Sequence, residues 1–259
     1  MKQKEAISPD FRCFLYFVFV LAAVVFSGCS MRYVTPGAGA ELSALAETDL
    51  SQLTDADIQE ILDRKPASPF PAIIAYVRLQ SPGYRSYSYQ PYGRGLYSVV
   101  PTRDIETDED FKKLANLPMI SDVVPLSRAL IPQNLNSHKQ LRISAAQLHA
   151  DLLLVYTLDT VFRIKDHDIG PLGIISLGFF PNREARITTT ASAVLFDVRT
   201  AYVYGLVEAT EYEKQMASTW TAHEAVEDAR KRAERKAFEK LLEEFTLTWK
   251  TIVEKYATR

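Results

Sequence analysis

Apolar residues recur along the chain with two periods, and the changes of period mark its elements. Pro69 to Gln80 is nearly all apolar through Val77, the pattern of a strand covered on both faces. Ala150 to Thr157 is a second, still more apolar strand, and Leu96 to Thr102 and Ile120 to Val124 read as short ones. From Arg183 to Val198 the pattern alternates, with Ile187, Thr189, Ala191, Ala193, Leu195 and Asp197 on one face and Thr188, Thr190, Ser192, Val194, Phe196 and Val198 on the other. Arg199-Thr200-Ala201 then turns the chain into a further alternating strand, Tyr202 to Tyr212, which predicts a long antiparallel hairpin.

Helical spacing appears between these strands. Thr54 with Asp57 and Thr107 with Asp110 are capping-box starts, followed by Ile58, Ile61 and Leu62 as far as Pro66, and by Phe111, Leu114 and Ala115 as far as Pro118. From Ser137, Leu141, Ala145 and Leu148 mark an amphipathic helix. The last element opens at Thr221 and Glu224 and carries the stripe Val226, Ala229, Ala233, Ala237, Leu241, Phe245, Trp249, Ile252 and Tyr256, a face that packs on the sheet. The charged run Arg230 to Lys236, balanced by glutamates, reads as a solvated face. The expected fold class is α/β (α+β): a mixed sheet with a long antiparallel hairpin, short helices and a long C-terminal helix packed on it. Its expected core is Ile73, Ile74, Tyr76, Leu153, Val155, Ala193 and Leu195, with Val226, Leu241 and Phe245 over one face.

The leading segment is organised differently. Lys2, Lys4 and Arg12 outweigh Glu5 and Asp10, an apolar run follows from Cys13 to Phe26, and the small residues Ser27 and Gly28 precede Cys29. That is the layout of a secretory signal peptide; the other reading, an uncleaved anchor over Phe11 to Gly28, is open because about 18 apolar residues suffice to cross a bilayer. Phe26-Ser27-Gly28-Cys29 resembles the lipobox of bacterial lipoproteins, although Phe26 departs from the usual aliphatic residue. The resemblance implies acylation of Cys29, palmitate-type chains, cleavage before it, and anchoring in the cell envelope facing the periplasm. Ser30 stands where the best-known sorting system places an aspartate for inner-membrane retention, which implies the outer membrane. The expected organisation is residues 1–28 as lipoprotein signal peptide, 29–50 as a lipidated tether rich in Pro, Gly and small residues, and 51–259 as one α/β domain.

Charge and cysteine content narrow the partners. With 30 basic and 32 acidic residues the chain has no strong field to recruit nucleic acid. Of the two cysteines, Cys13 lies in the leader and Cys29 takes the lipid, so no thiol is left for a disulfide or a metal. Two irregular stretches carry the candidate contact surface. Ser81 to Tyr97 includes Tyr84, Tyr87, Tyr89 and Tyr92 among glycines, prolines and arginines, either a lid folded on the domain or an adaptable binding loop. Asp166 to Asn182 carries Leu172, Ile174, Ile175, Leu177, Phe179 and Phe180, too short and glycine-rich for a spanning helix. It is read either as a contact surface for membrane or partner, or as a mini-core under the tyrosine-rich loop.

Motifs for chemistry are missing from the sequence: it has no G-x-S-x-G, phosphate-binding loop, dinucleotide fingerprint or H-E-x-x-H. Asp166-His167-Asp168 is a polar turn rather than a metal site, since three adjacent loop residues seldom converge on one ion. No catalytic residue, cofactor or metal is expected, and the chain reads as no enzyme.

A helix leading into LHADLLLVYTL, then ITTTASAVLFDVRTAYVYG as a hairpin, then a charged terminal helix, is similar in element order to the α/β domain of envelope lipoproteins such as the curli-secretion and rhombotarget lipoproteins. The turn has Ala201 where that group prefers glycine. The resemblance implies a fold and not a function. The leading expectation is a non-catalytic interaction or assembly module that binds another envelope protein. The alternatives are an oligomeric secretion or pore subunit and, behind it, a hydrolase.

Overall fold

The computed structural model of the chain describes residues 37–42, 54–84, 92–100, 104–166, 183–217 and 222–257. The leader, Cys29, Thr221 and the apolar insert beyond Asp166 lie outside them. In chain order the described elements are α1 (Asp55–Asp63), β1 (Ala72–Gln80), β2 (Ser98–Val100), α2 (Asp108–Ala115), β3 (Ile120–Pro125), α3 (His138–Gln147), β4 (Leu152–Asp166), β5 (Arg183–Asp197), β6 (Val203–Ala217) and α4 (Ala222–Tyr256). The expected mixed sheet forms in the order β2-β1-β4-β5-β6, with β3 also beside β1. β1 runs parallel to β3 and β4 and antiparallel to β2, while β4, β5 and β6 form one antiparallel ladder. The capping boxes are present: the Thr54 and Thr107 backbone amides donate to Asp57 and Asp110 at 2.7 and 2.8 Å.

Strand period decides how the core divides. In β1 and β4 both odd and even positions are apolar, so each strand fills two cores. Ile74, Tyr76, Leu152, Leu154, Ala193 and Leu195 pack under Phe238, Leu241, Phe245 and Trp249 of α4. Ala75, Val77, Leu153, Val155, Val194 and Phe196 pack on the opposite face, with Leu141 and Ala145 of α3. The single expected core therefore splits: Leu153 and Val155 belong to the face away from α4, and Ile73 is only half-buried. The buried Trp249 indole donates to the Pro118 carbonyl at 2.8 Å, which removes the cost of an unpaired N–H.

β4 continues well past its apolar run. From Leu158 to Arg163 it alternates covered with exposed positions, Leu158 buried and Thr160 and Phe162 half-buried, and the fifteen-residue ladder with β5 holds the strand out to Asp166. Residues 37–42, within the stretch expected as a tether, lie on the domain. Gly39 bridges Gln80 and donates to Asp159 Oδ1 at 3.1 Å, and the Ala40 amide donates to Thr157 Oγ1 at 2.6 Å. A Cβ on Gly39 would come within 2.9 Å of the Asp159 Cβ, so this crossing requires glycine.

The turn Asp197-Val198-Arg199-Thr200 has a physical basis. The buried Asp197 carboxylate accepts from the amides of Arg199 and Thr200 at 2.8 and 3.0 Å, and on its other oxygen from the amides of Ala67 and Ser68, both at 2.8 Å. Burial alone would raise the pKa of this carboxyl, but those donors outweigh it and hold the value below the ordinary 3.8. Ala201 completes the turn with φ of 60°.

Candidate interaction surface

The two faces of the β4–β5–β6 ladder are finished differently. On one, α4 runs the full length of the strands. Where apolar stripe gives way to charge, the cover is an ionic cluster in the interior. Arg230 and Glu234, expected on a solvated face, are fully buried, because a step of four residues from Val226 keeps Arg230 and Glu234 beside the packed stripe. Arg230 pairs with Glu234, with Glu227 at 2.7 Å and with Asp104 at 3.2 Å. Arg78, from the centre of the sheet, reaches Glu234 at 3.4 Å and Glu106 at 3.5 Å, and the Tyr156 hydroxyl donates to Glu106 at 2.8 Å. Burial disfavours both guanidinium charges, yet the surrounding carboxylates overcome it and hold both arginines more firmly protonated than usual. Lys236 and Arg232, by contrast, are exposed, and they reach Glu213 and Gln215 of β6.

Among the described residues the opposite face is covered only in its near half, by α3 and residues 37–42. A groove of about 490 Å³ opens there between Leu42, Ile61 of α1, His138, Phe196 and Leu206. His138 is buried and stacks on Phe196 with ring centroids 5.5 Å apart. Farther out the face is exposed. Tyr212 is 68% accessible, with Val161 at 49% and Met216 at 47%, and Leu206 on the rim of the groove is 70% accessible. Register sets these side chains in rows across the strands. Val161, Thr188 and Tyr212 form one row; Arg163, Arg186 and Lys214, all exposed, form the next. β6 is the last strand of the sheet, and among the described residues its outer edge has no partner strand.

The candidate contact residues read from the sequence are not gathered on this face. Tyr84 is 2% exposed and is no part of a contact surface; it lies against the Arg78 cluster, and burial pushes its hydroxyl up to about 12. Tyr92 is half-buried, bonds Val99 through its backbone at 2.9 and 2.7 Å and donates from its hydroxyl to the Ile131 carbonyl at 3.3 Å. Both described tyrosines are folded onto the domain. Tyr87, Tyr89, Leu172, Ile174, Ile175, Phe179, Phe180 and Cys29, the expected lipidation residue, lie outside the described residues. Among the described residues no group of three or more His, Cys, Asp or Glu is placed to hold a metal ion, and no helix is long and apolar enough to cross a membrane. The sequence pattern does not reveal the exposed rows, because each residue sits alone in an alternating strand and only the pairing register brings them together.

No family model matches the chain, and no curated protein matches it. Among solved structures it is similar to protein XCC0632 from Xanthomonas campestris, described by family-model DUF330, at 16% identity over 74% of this chain and 94% of that one, with a TM-score of 0.36. A lipoprotein candidate from Caulobacter crescentus aligns at 13% identity over 43% and 79% of the two chains, TM-score 0.26. The hypothetical protein CT253 from Chlamydia trachomatis aligns at 10% identity over 67% and 96%, TM-score 0.29. None of these three is described as a curli-secretion or rhombotarget lipoprotein.

Proposed function

We propose that the chain is a lipid-anchored bacterial envelope protein, held through Cys29 in the outer membrane, facing the periplasm and acting as a non-catalytic interaction module. The observation that carries this reading is Phe26-Ser27-Gly28-Cys29 at the end of a charged and then apolar leader, with no other cysteine in the chain after it. The non-catalytic part is supported by the way interior polar groups are used. Arg78, Arg230, Glu234 and Asp197 are buried in bonds to one another or to the backbone rather than turned into an open pocket. The exposed half of the ladder and the edge of β6, unpaired among the described residues, supply surface for a partner. Ile187 and Ala191 of β5 and Ala209 of β6 are buried on the α4 side. That burial favours a docked module over a pore-forming subunit, whose strands alternate between lipid and water.

The test is Cys29→Ser in the full chain expressed in a bacterial envelope. The parent is expected to lose residues 1–28 and gain acyl mass at Cys29; the variant is expected to remain an uncleaved precursor without that mass. A variant processed and anchored like the parent would overturn the lipoprotein reading.

A further inference from the structure

We infer that the exposed row Arg163, Arg186 and Lys214 is a docking surface for the anionic headgroups of a membrane. Residues directly opposite on one face have their side chains side by side, and like charges in that arrangement repel. Here three cations stand in register on three adjacent strands, a line about 10 Å long at ordinary strand spacing. Glu184 pairs with Arg186, but Arg163 and Lys214 have no ion pair among the described residues. The chain as a whole carries slightly more acid than base, so the row is no by-product of a basic protein.

Its flanks fit the same partner. The row next to it toward the domain is Val161, Thr188 and Tyr212, and Met216 is exposed on the other side in β6. Exposed aliphatic side chains and a tyrosine beside a line of cations match the boundary between headgroups and acyl chains, where tyrosine is enriched and basic residues meet phosphate. A soluble phosphorylated peptide would use the cations but would leave Val161 and Met216 without a role, so the lipid surface is the better fit. The inference deepens the envelope reading and rests on it only for the presence of a membrane; attachment through Cys29 and docking through the row can fail separately.

The test uses residues 35–259, a compact unit that contains both cores and lacks Cys29. It is floated with vesicles rich in phosphatidylglycerol and with vesicles of phosphatidylcholine alone, at low and at high salt. Binding is expected to the first only, and to weaken with salt. Each of Arg163→Gln, Arg186→Gln and Lys214→Gln should reduce partition about fivefold, and the three together on the order of a hundredfold. The thermal midpoint of the triple variant should hold or rise, because repulsion has been removed. The control Lys112→Gln/Lys113→Gln/Lys250→Gln makes the same change of net charge on α2 and α4 and should leave binding unchanged. No binding by the parent, equal binding to both vesicle types, or equal loss in the control would each overturn the proposal, as would capture of a phosphopeptide without vesicle binding. Should the triple variant fail to fold, Lys214→Gln decides alone: unchanged partition with that variant would also overturn it.

Discussion

The face of the β4–β5–β6 ladder under α4 and the face turned away from it place arginines in opposite circumstances. Under α4, Arg78 and Arg230 are fully buried and surrounded by Glu106, Glu227, Glu234 and Asp104. On the other face, Arg163 and Arg186 stand exposed beside Lys214, with one glutamate among them. A buried guanidinium has to be answered by carboxylates within the fold, since desolvation otherwise costs several kcal/mol. An exposed one is hydrated, so the fold can leave it unanswered for a partner to use. The same residue type thus serves architecture on one face and is available for recognition on the other.

Five changes test that division, from the largest effect to the smallest. Glu234→Ala should unfold the covered face first: it strips both Arg78 and Arg230 of a carboxylate they share, and breaking a buried pair costs about 3 to 5 kcal/mol. A urea midpoint close to that of the parent would show that water already answers these charges. Leu153→Ala probes the near half of the other face, where this fully buried leucine packs among Val155, Phe196 and Leu141; it should cost about 2 to 5 kcal/mol by the same measurement.

Acid tests the carboxylates that the fold holds in hydrogen bonds. Asp110 is partly desolvated, which raises its pKa, but Arg235 and Thr107 bond the carboxylate and the net value is lowered; Asp197 is lowered by the donors of its turn. A carboxyl whose folded pKa is depressed contributes stability in full above its unfolded value near 3.8 and loses it as pH falls through the folded value. The parent should therefore lose stability in that window, and Asp197→Asn should show a shallower loss there from a lower starting point; identical slopes would remove Asp197 from the account. The next effect expected is a gain. Ala201 holds φ of 60°, a region that costs an L-residue energy and glycine little, so Ala201→Gly should raise stability by up to about 1 kcal/mol in thermal unfolding. On the exposed far half, Tyr212→Ser should stay within about 0.5 kcal/mol of the parent.

Much of this fold was legible without coordinates, and the legible parts share a cause. The α4 stripe from Val226 through Trp249 to Ile252 and the alternation of β5 are local periods, and the residues they marked are the buried ones. Capping at Thr54 and Thr107 was likewise visible because each box closes within three residues. Where the local pattern misleads, the deciding contact is distant. Arg230 and Glu234 look solvent-facing beside Lys231 and Arg232, and only the arrival of Arg78 and Asp104 from elsewhere in the chain makes their burial tenable. Tyr84 looked available in a run of tyrosines and is instead taken into the same cluster.

The sequence by itself determined the strands, the helices and the apolar sides of β5 and α4, because periodicity and capping depend on neighbours a few residues away. Tertiary structure alone decided that β1 and β4 feed two cores, that α4 seals one face of the hairpin along its length, and that Arg163, Arg186 and Lys214 stand in one line. A pairing register is a relation between strands, and a shift of one residue would turn each of those cations to the other face.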